Sequence, residues 1–147
     1  MSMINETAIP RSIAILHRKA QRFIANELRE YKIGASQYGF LLRLYRGDGV
    51  SQERLSNDLY IDKSATKRII DALEKAGYVY REKDDDDKRA YKIFLTEKAI
   101  EIKPKIMDAI SKWNNLITKG ISTEQNNFLI ETLDLMLNNS ERGDKNE

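Results

Sequence analysis

A chain of 147 residues is long enough for one compact domain with a dimerising extension. Hydrophobic residues make up 41% and charged residues 33%, no run approaches the roughly 20 apolar residues of a membrane span, and there is no cysteine. These features exclude a disulfide framework, a thiolate zinc site and thiol-based redox sensing, and "MSMINETAIPRS" lacks the apolar core of an export signal, so a cytoplasmic protein without membrane contact is expected.

The formal net charge is only +2. From Ile121 onward two basic residues face six acidic ones, a net of −4, which leaves +6 on the first 120 residues. That polarity is modest and does not by itself announce nucleic acid.

In "IPRSIAILHRKAQRFIANELREY" the apolar residues Ile13, Leu16, Ala20, Phe23, Ile24, Leu28 and Tyr31 recur at steps of three and four. This predicts one helix with a single apolar stripe, stopped near Gly34. Ser36 is then expected to cap a second helix, from about Gln37 to Arg46, which the "GDG" at 47–49 breaks.

Ser51 is suited to cap a short third helix, "QERLSNDLY", and Asp62 to cap a fourth, "KSATKRIIDALEKAG", which stops at Gly77. Short helix, tight turn and longer helix is the spacing of a helix-turn-helix. Two strands follow, "YVYREK" and "AYKIFL", joined by a long loop that holds Asp84 to Arg89. Thr96 is expected to cap a fifth helix, kinked at Pro104 and ended by Gly120. "STEQ" at 122–125 reads as a capping box opening a sixth helix, with fraying expected from Asn138.

Two helices, a helix-turn-helix, a hairpin and two more helices spell a winged helix. "VSQERLSNDLYIDKSATKRIIDALEKAGYVYREKDDDDKRAYKIFLTEKA" closely resembles the core of the MarR family of transcriptional regulators. "RLSNDLYIDKSATKRIIDALEKAGYV" carries the reading head and "DDKRAYKIFLTEKA" the wing and its exit. Tyr60 stands where the family often has a glycine in the turn, and Thr66 where an aliphatic residue is usual, so Thr66 is expected to be half buried.

The fold class expected is mainly α with a small β-hairpin wing. A dimerisation helix would occupy residues 1–33, the winged helix-turn-helix 34–98 and further dimerisation helices 99–147. The resemblance implies a homodimer on double-stranded DNA, with the fourth helix in the major groove and the wing in the minor groove. It also implies that Asp87 holds the Arg89 guanidinium, which inserts into the minor groove beside Lys88.

The residues themselves support those roles. With the apolar face of the fourth helix turned inward, Lys63, Ser64, Lys67 and Arg68 point outward, where Lys and Arg can donate to guanine O6 and N7. The helix start at Ser51 and Gln52 suits a phosphate oxygen. Asp84, Asp85 and Asp86 have no reading role and are expected either to form a solvated turn or to weaken non-specific binding.

His17 is the only histidine, which leaves no metal cluster and no Cys-His or Ser-His-Asp set, and no glycine-rich phosphate loop precedes a helix. An enzyme is therefore not expected, and no cofactor is called for. The resemblance does imply that a small aromatic or phenolic effector is possible. The function read from the sequence is a ligand-responsive repressor acting on an inverted-repeat operator. The alternatives are a winged-helix dimer that binds a protein partner and an architectural DNA binder without sequence preference.

Overall fold

The computed structural model describes residues 3–144, which divide into two compact units on either side of the Trp113–Asn114 bond. In chain order the first unit begins with α1 (Met3–Glu6), α2 (Ala8–Glu27), a 3-10 turn (Arg29–Tyr31) and α3 (Tyr38–Tyr45). It continues with β1 (Val50–Ser51), α4 (Gln52–Leu59), α5 (Lys63–Lys75), β2 (Val79–Lys83) and β3 (Tyr91–Leu95). The division falls inside α6 (Glu97–Ile117), and the second unit also holds α7 (Thr123–Asp144). The fold is mainly helical with one small antiparallel sheet, as expected.

The single first helix expected from periodicity is shorter and ends earlier. α2 stops at Glu27 because the bonding pattern tightens: Tyr31 donates to the Leu28 carbonyl and Lys32 to that of Arg29, both at 3.0 Å. Lys32 closes the turn in the left-handed region at φ 56°, so it, and not Gly34, provides the stop. Pro10 lies in the first turn of α2, where a missing N–H costs no helix bond. Ser36 does not cap the next helix. Gln37 occupies that position, and its Oε1 accepts the Gly34 amide at 3.0 Å.

The sheet has three strands in the order β1-β3-β2, one more than periodicity shows. Two residues are too few to display alternation, so β1 has no signature of its own. Val50 pairs with Ile93 and Ser51 with Lys92. The approach is fixed by Asp48, whose Oδ2 accepts the Leu95 amide at 2.9 Å, and by Gly49, whose amide reaches the Ile93 carbonyl at 2.7 Å. Gly49 has φ +72°, and an added Cβ would meet the Phe94 ring at 3.0 Å, so glycine is required there.

Ile24, Leu28, Phe40, Leu41, Leu44, Leu55, Ile70, Leu73, Ile93 and Ile106 close one core beneath this frame. Tyr45 and Tyr78 enter it with their hydroxyls satisfied by the carbonyls of Ala99 and Tyr31. Burial, followed by the Tyr78 charge, pushes the Tyr45 phenol up to about 12.

Thr96 caps α6 as expected, accepting the Ala99 amide at 3.3 Å while donating to the Gly77 carbonyl at 2.6 Å. α6 runs without a break through Pro104, whose ring removes the bond that the Ile100 carbonyl would accept; both residues are exposed, so water can take it. In the second unit the capping box forms in both directions. Gln125 donates its amide to Ser122 Oγ at 3.1 Å, and Ser122 donates to Gln125 Oε1 at 3.0 Å. Among the described residues the tail expected to fray from Asn138 is helical, since α7 continues to Asp144 with Ser140 Oγ donating to the Leu137 carbonyl at 2.7 Å; positions 145–147 lie outside the described residues. Polar residues lower helix propensity but do not break a helix whose backbone bonds are already propagating.

Candidate nucleic-acid interface

α4 and α5 are each opened by a side-chain cap that their sequences announce. Ser51 Oγ accepts the Arg54 amide at 3.0 Å, and Asp62 Oδ1 accepts the Ala65 amide at 2.7 Å. Between them Tyr60 adopts the left-handed conformation at φ 53°, ψ 43°. This is the turn position where a glycine is more usual, and Tyr60 keeps the tight geometry that a glycine would give. A bulky residue is uncommon there, and its ring is 74% exposed.

The interior face of α5 carries Thr66, Ile70 and Leu73. Thr66 is fully buried, deeper than the half burial expected of it, and its Oγ1 lies 2.9 Å from Ser56 Oγ. It is therefore closed off from any ligand outside the domain. The opposite face presents Lys63, Ser64, Lys67 and Arg68, all exposed within the first two turns. Lys63 lies 3.8 Å from Glu53, and Lys67 pairs with Asp71 at 2.9 Å. Arg68 has no ion pair among the described residues.

Ser51 and Gln52 sit half-buried at the start of α4. The Ser51 hydroxyl accepts the cap bond but still carries its own proton, which it can donate to a phosphate oxygen. One turn on, Arg54 is exposed and shares Asp58 with Arg43 of α3, at 3.0 and 2.8 Å. The Arg43 hydrogen bond, ahead of that from Arg54, holds the Asp58 carboxyl below its usual range. Arg54 is a cation beside the helix start that sequence reasoning missed, because its spacing to Asp58 reads as an ordinary solvated pair.

The wing is the β2–β3 hairpin, in register from Val79↔Leu95 to Lys83↔Tyr91. Two of its four consecutive aspartates build the loop. Asp84 Oδ1 accepts the Asp86 amide and Asp87 Oδ1 accepts the Arg89 amide, each at 3.0 Å and each two residues on. Backbone bonds from Asp84 to the Ala90 carbonyl and from Ala90 to the Asp87 carbonyl, both 3.0 Å, close it. Asp87 therefore supports the wing through the backbone amide of Arg89, using one of its two carboxylate oxygens. The side chains of Lys88 and Arg89 stand exposed at the tip, without an ion pair among the described residues.

A second network ties the wing to α5, and sequence reasoning did not find it. Arg81 of β2 reaches Asp71 at 2.7 Å and Glu74 at 3.0 Å. Lys67 and then Arg81 hold the Asp71 carboxyl below its usual range. The Lys67–Asp71 spacing is visible in the sequence, but the third partner appears only once the hairpin register is known. His17 is exposed on α2, and the described residues contain no group of histidine, aspartate and glutamate that could hold a metal.

An exposed cationic helix face, a helix start beside it and a wing with a basic tip define a winged-helix protein of the nucleic-acid-binding type. The MarR family model matches residues 33–91. A MarR transcriptional regulator from Methanosarcina mazei Go1 is 37% identical, with 91% of this chain and 96% of that chain covered and a TM-score of 0.88. A putative MarR family transcriptional regulator from Listeria monocytogenes, solved in complex with 26mer DNA, is 27% identical with a TM-score of 0.82, covering 88% of this chain and 86% of that one. The HTH-type transcriptional regulator BilQ of Clostridioides difficile is 28% identical over 121 residues, 82% of each chain. The chain belongs to the MarR family of transcriptional regulators, and is not an enzyme.

Proposed function

We propose that the protein is a homodimeric, sequence-specific DNA-binding repressor that reads an inverted-repeat operator in the cytoplasm. The observation that carries this reading is the two-sided character of α5, with Lys63, Ser64, Lys67 and Arg68 exposed together while its other face is closed into the core. On this reading α5 lies in the major groove, Lys67 and Arg68 donate to base edges, and Lys63 and Ser64 contact the backbone or flanking bases. The α4 start at Ser51 and Gln52 takes a phosphate, and Lys88 and Arg89 enter the minor groove. The neighbour solved in complex with 26mer DNA supports DNA as the partner.

A dimer needs a surface to pair through, and the residues proposed for pairing, 1–33 and 99–147, leave large apolar side chains uncovered. Ile9, Ile13 and Leu16 in α2 and Phe128, Leu135 and Leu137 in α7 are all exposed. Two-fold symmetry then sets half-sites about 10 bp apart. An effector of the aromatic or phenolic class would act by favouring one spacing of the two heads over another. No helix among the described residues is long and apolar enough to cross a membrane.

The test is a salt titration of binding to the DNA upstream of the protein's own gene, beside shuffled DNA, with the native protein and with Arg89→Ala. Preference for the upstream DNA, reduced about tenfold or more by Arg89→Ala, is the expected result. Equal binding to both DNAs, driven by salt alone, would assign an architectural role. No binding at low salt would overturn the DNA reading and favour a protein partner.

A further inference from the structure

We propose that Arg81, on the inner face of the wing's first strand, is a positioning residue for DNA reading, which neutralises Asp71 so that Lys67 is oriented yet free to leave it for a base edge. This rests on the reading of α5 as the DNA-contacting helix. Arg81 itself is in no position to touch DNA, since its side chain is only 15% exposed and both terminal nitrogens are engaged, one by Asp71 and the other by Glu74. Lys67, bound to the other oxygen of the same Asp71 carboxylate, is 66% exposed.

The charges fix the direction of the effect. Asp71 and Glu74 bring two negative charges, and Arg81 and Lys67 bring two positive ones. Without Arg81, Lys67 becomes the main counterion of Asp71, and the cluster of Asp71, Glu74 and Lys67 is left with one unbalanced negative charge on a helix that is otherwise basic. Lys67 would then have to abandon a carboxylate that nothing else neutralises before it could donate to a base. The remaining acid would also repel the DNA backbone. With Arg81 present, Asp71 loses little when Lys67 swings away, because the shorter of its two ion pairs remains. Arg81 also spans one turn of α5, from Asp71 to Glu74, which locks the carboxylate's direction and with it the resting direction of the lysine.

A purely structural strut would behave differently. Losing it would loosen the wing against α5 and weaken binding to every DNA alike. The relay concerns one base-reading side chain, so its loss falls on discrimination, and removing the carboxylate repairs it.

The experiment begins with in vitro selection of a preferred site from random DNA duplexes by the native protein. Binding to that site and to a shuffled control is then measured for Arg81→Met, Asp71→Asn and the double variant, with a thermal melt of each. For Arg81→Met we expect about a tenfold loss on the selected site, the scale of one lost base contact, and a much smaller loss on the control. The double variant should recover most of it. An equal loss on both DNAs, no loss on either, or a double variant as weak as Arg81→Met overturns the inference. If Arg81→Met does not fold, Arg81→Lys keeps a charge that cannot span both acids, and its rescue by Asp71→Asn is read the same way. Should the native protein select no sequence, the sequence-specific reading falls and this inference with it; selection without rescue removes the inference alone.

Discussion

Ser56 and Thr66 place two hydroxyls in an otherwise apolar joint between α4 and α5, at 5% and 0% exposure. Their protons can be assigned by elimination. Ser56 Oγ is 2.8 Å from the Ile61 carbonyl, so its single proton goes there. Thr66 must then donate to Ser56 Oγ, since its own distance to that carbonyl is 3.5 Å. The two residues are therefore not equivalent. Thr66→Val removes a donor and leaves Ser56 with its better bond, at a cost of about 1 kcal/mol. Ser56→Ala strands a buried hydroxyl and weakens the satisfaction of the Ile61 carbonyl, at a cost of about 2 kcal/mol. Denaturant unfolding of both variants should give that order, and Thr66→Val should leave DNA selection unchanged. The reverse order would mean that the protons run the other way. This joint also explains how an aliphatic position accepts a threonine: the β-branched shape fits the core and the turn supplies the hydroxyl's partner.

At the scale of elements, the features legible in the sequence were those with a local signature. Caps at Ser51, Asp62, Thr96 and Ser122 lie within three residues of the amides they bind, and α4, α5 and the hairpin follow from period and turn signals. Two of the features missed depend on the strand register: β1 against β3, and Arg81 of β2 against α5. The four aspartates show the limit from the other side. Their Asx turns are local, yet the choice of Asp84 and Asp87 as the turn builders depends on where the strands end. The exposed loop has a further property. Asp-Asp-Asp-Asp-Lys at 84–88 matches the recognition sequence of enteropeptidase, which cuts after the lysine. Limited digestion of the folded protein is expected to nick between Lys88 and Arg89, and operator DNA to slow the cut at least several-fold, because an opened, accessible loop is what a protease needs. A cut rate unmoved by saturating DNA would place the wing tip outside the minor groove.

For the whole molecule the decisive surface is α7. Phe128 and Leu135 are seven residues apart, about two turns, and so share a stripe; Ile130 and Leu137, also seven apart, share another on a different side. Exposures of 70% and 60% on the first stripe, and of 51% and 63% on the second, are too large for a helix that works alone in water. Covering such side chains contributes about 1.5–3 kcal/mol each. The native protein is therefore expected to sediment at twice 17.1 kDa, with a Tm that rises with protein concentration. Phe128→Asp decides the matter, because in a monomer a charge at a 70% exposed position is harmless and even aids solubility. In a dimer the same charge is buried against apolar partners, so the variant should sediment as a monomer or melt several degrees lower with no change in its isolated reading head. Since a single head spans only one half-site, that variant should also lose most of its operator affinity while Lys67, Arg68 and Arg89 remain intact. Full operator binding by a monomeric Phe128→Asp would show that one head suffices and would remove the inverted repeat from the proposed function.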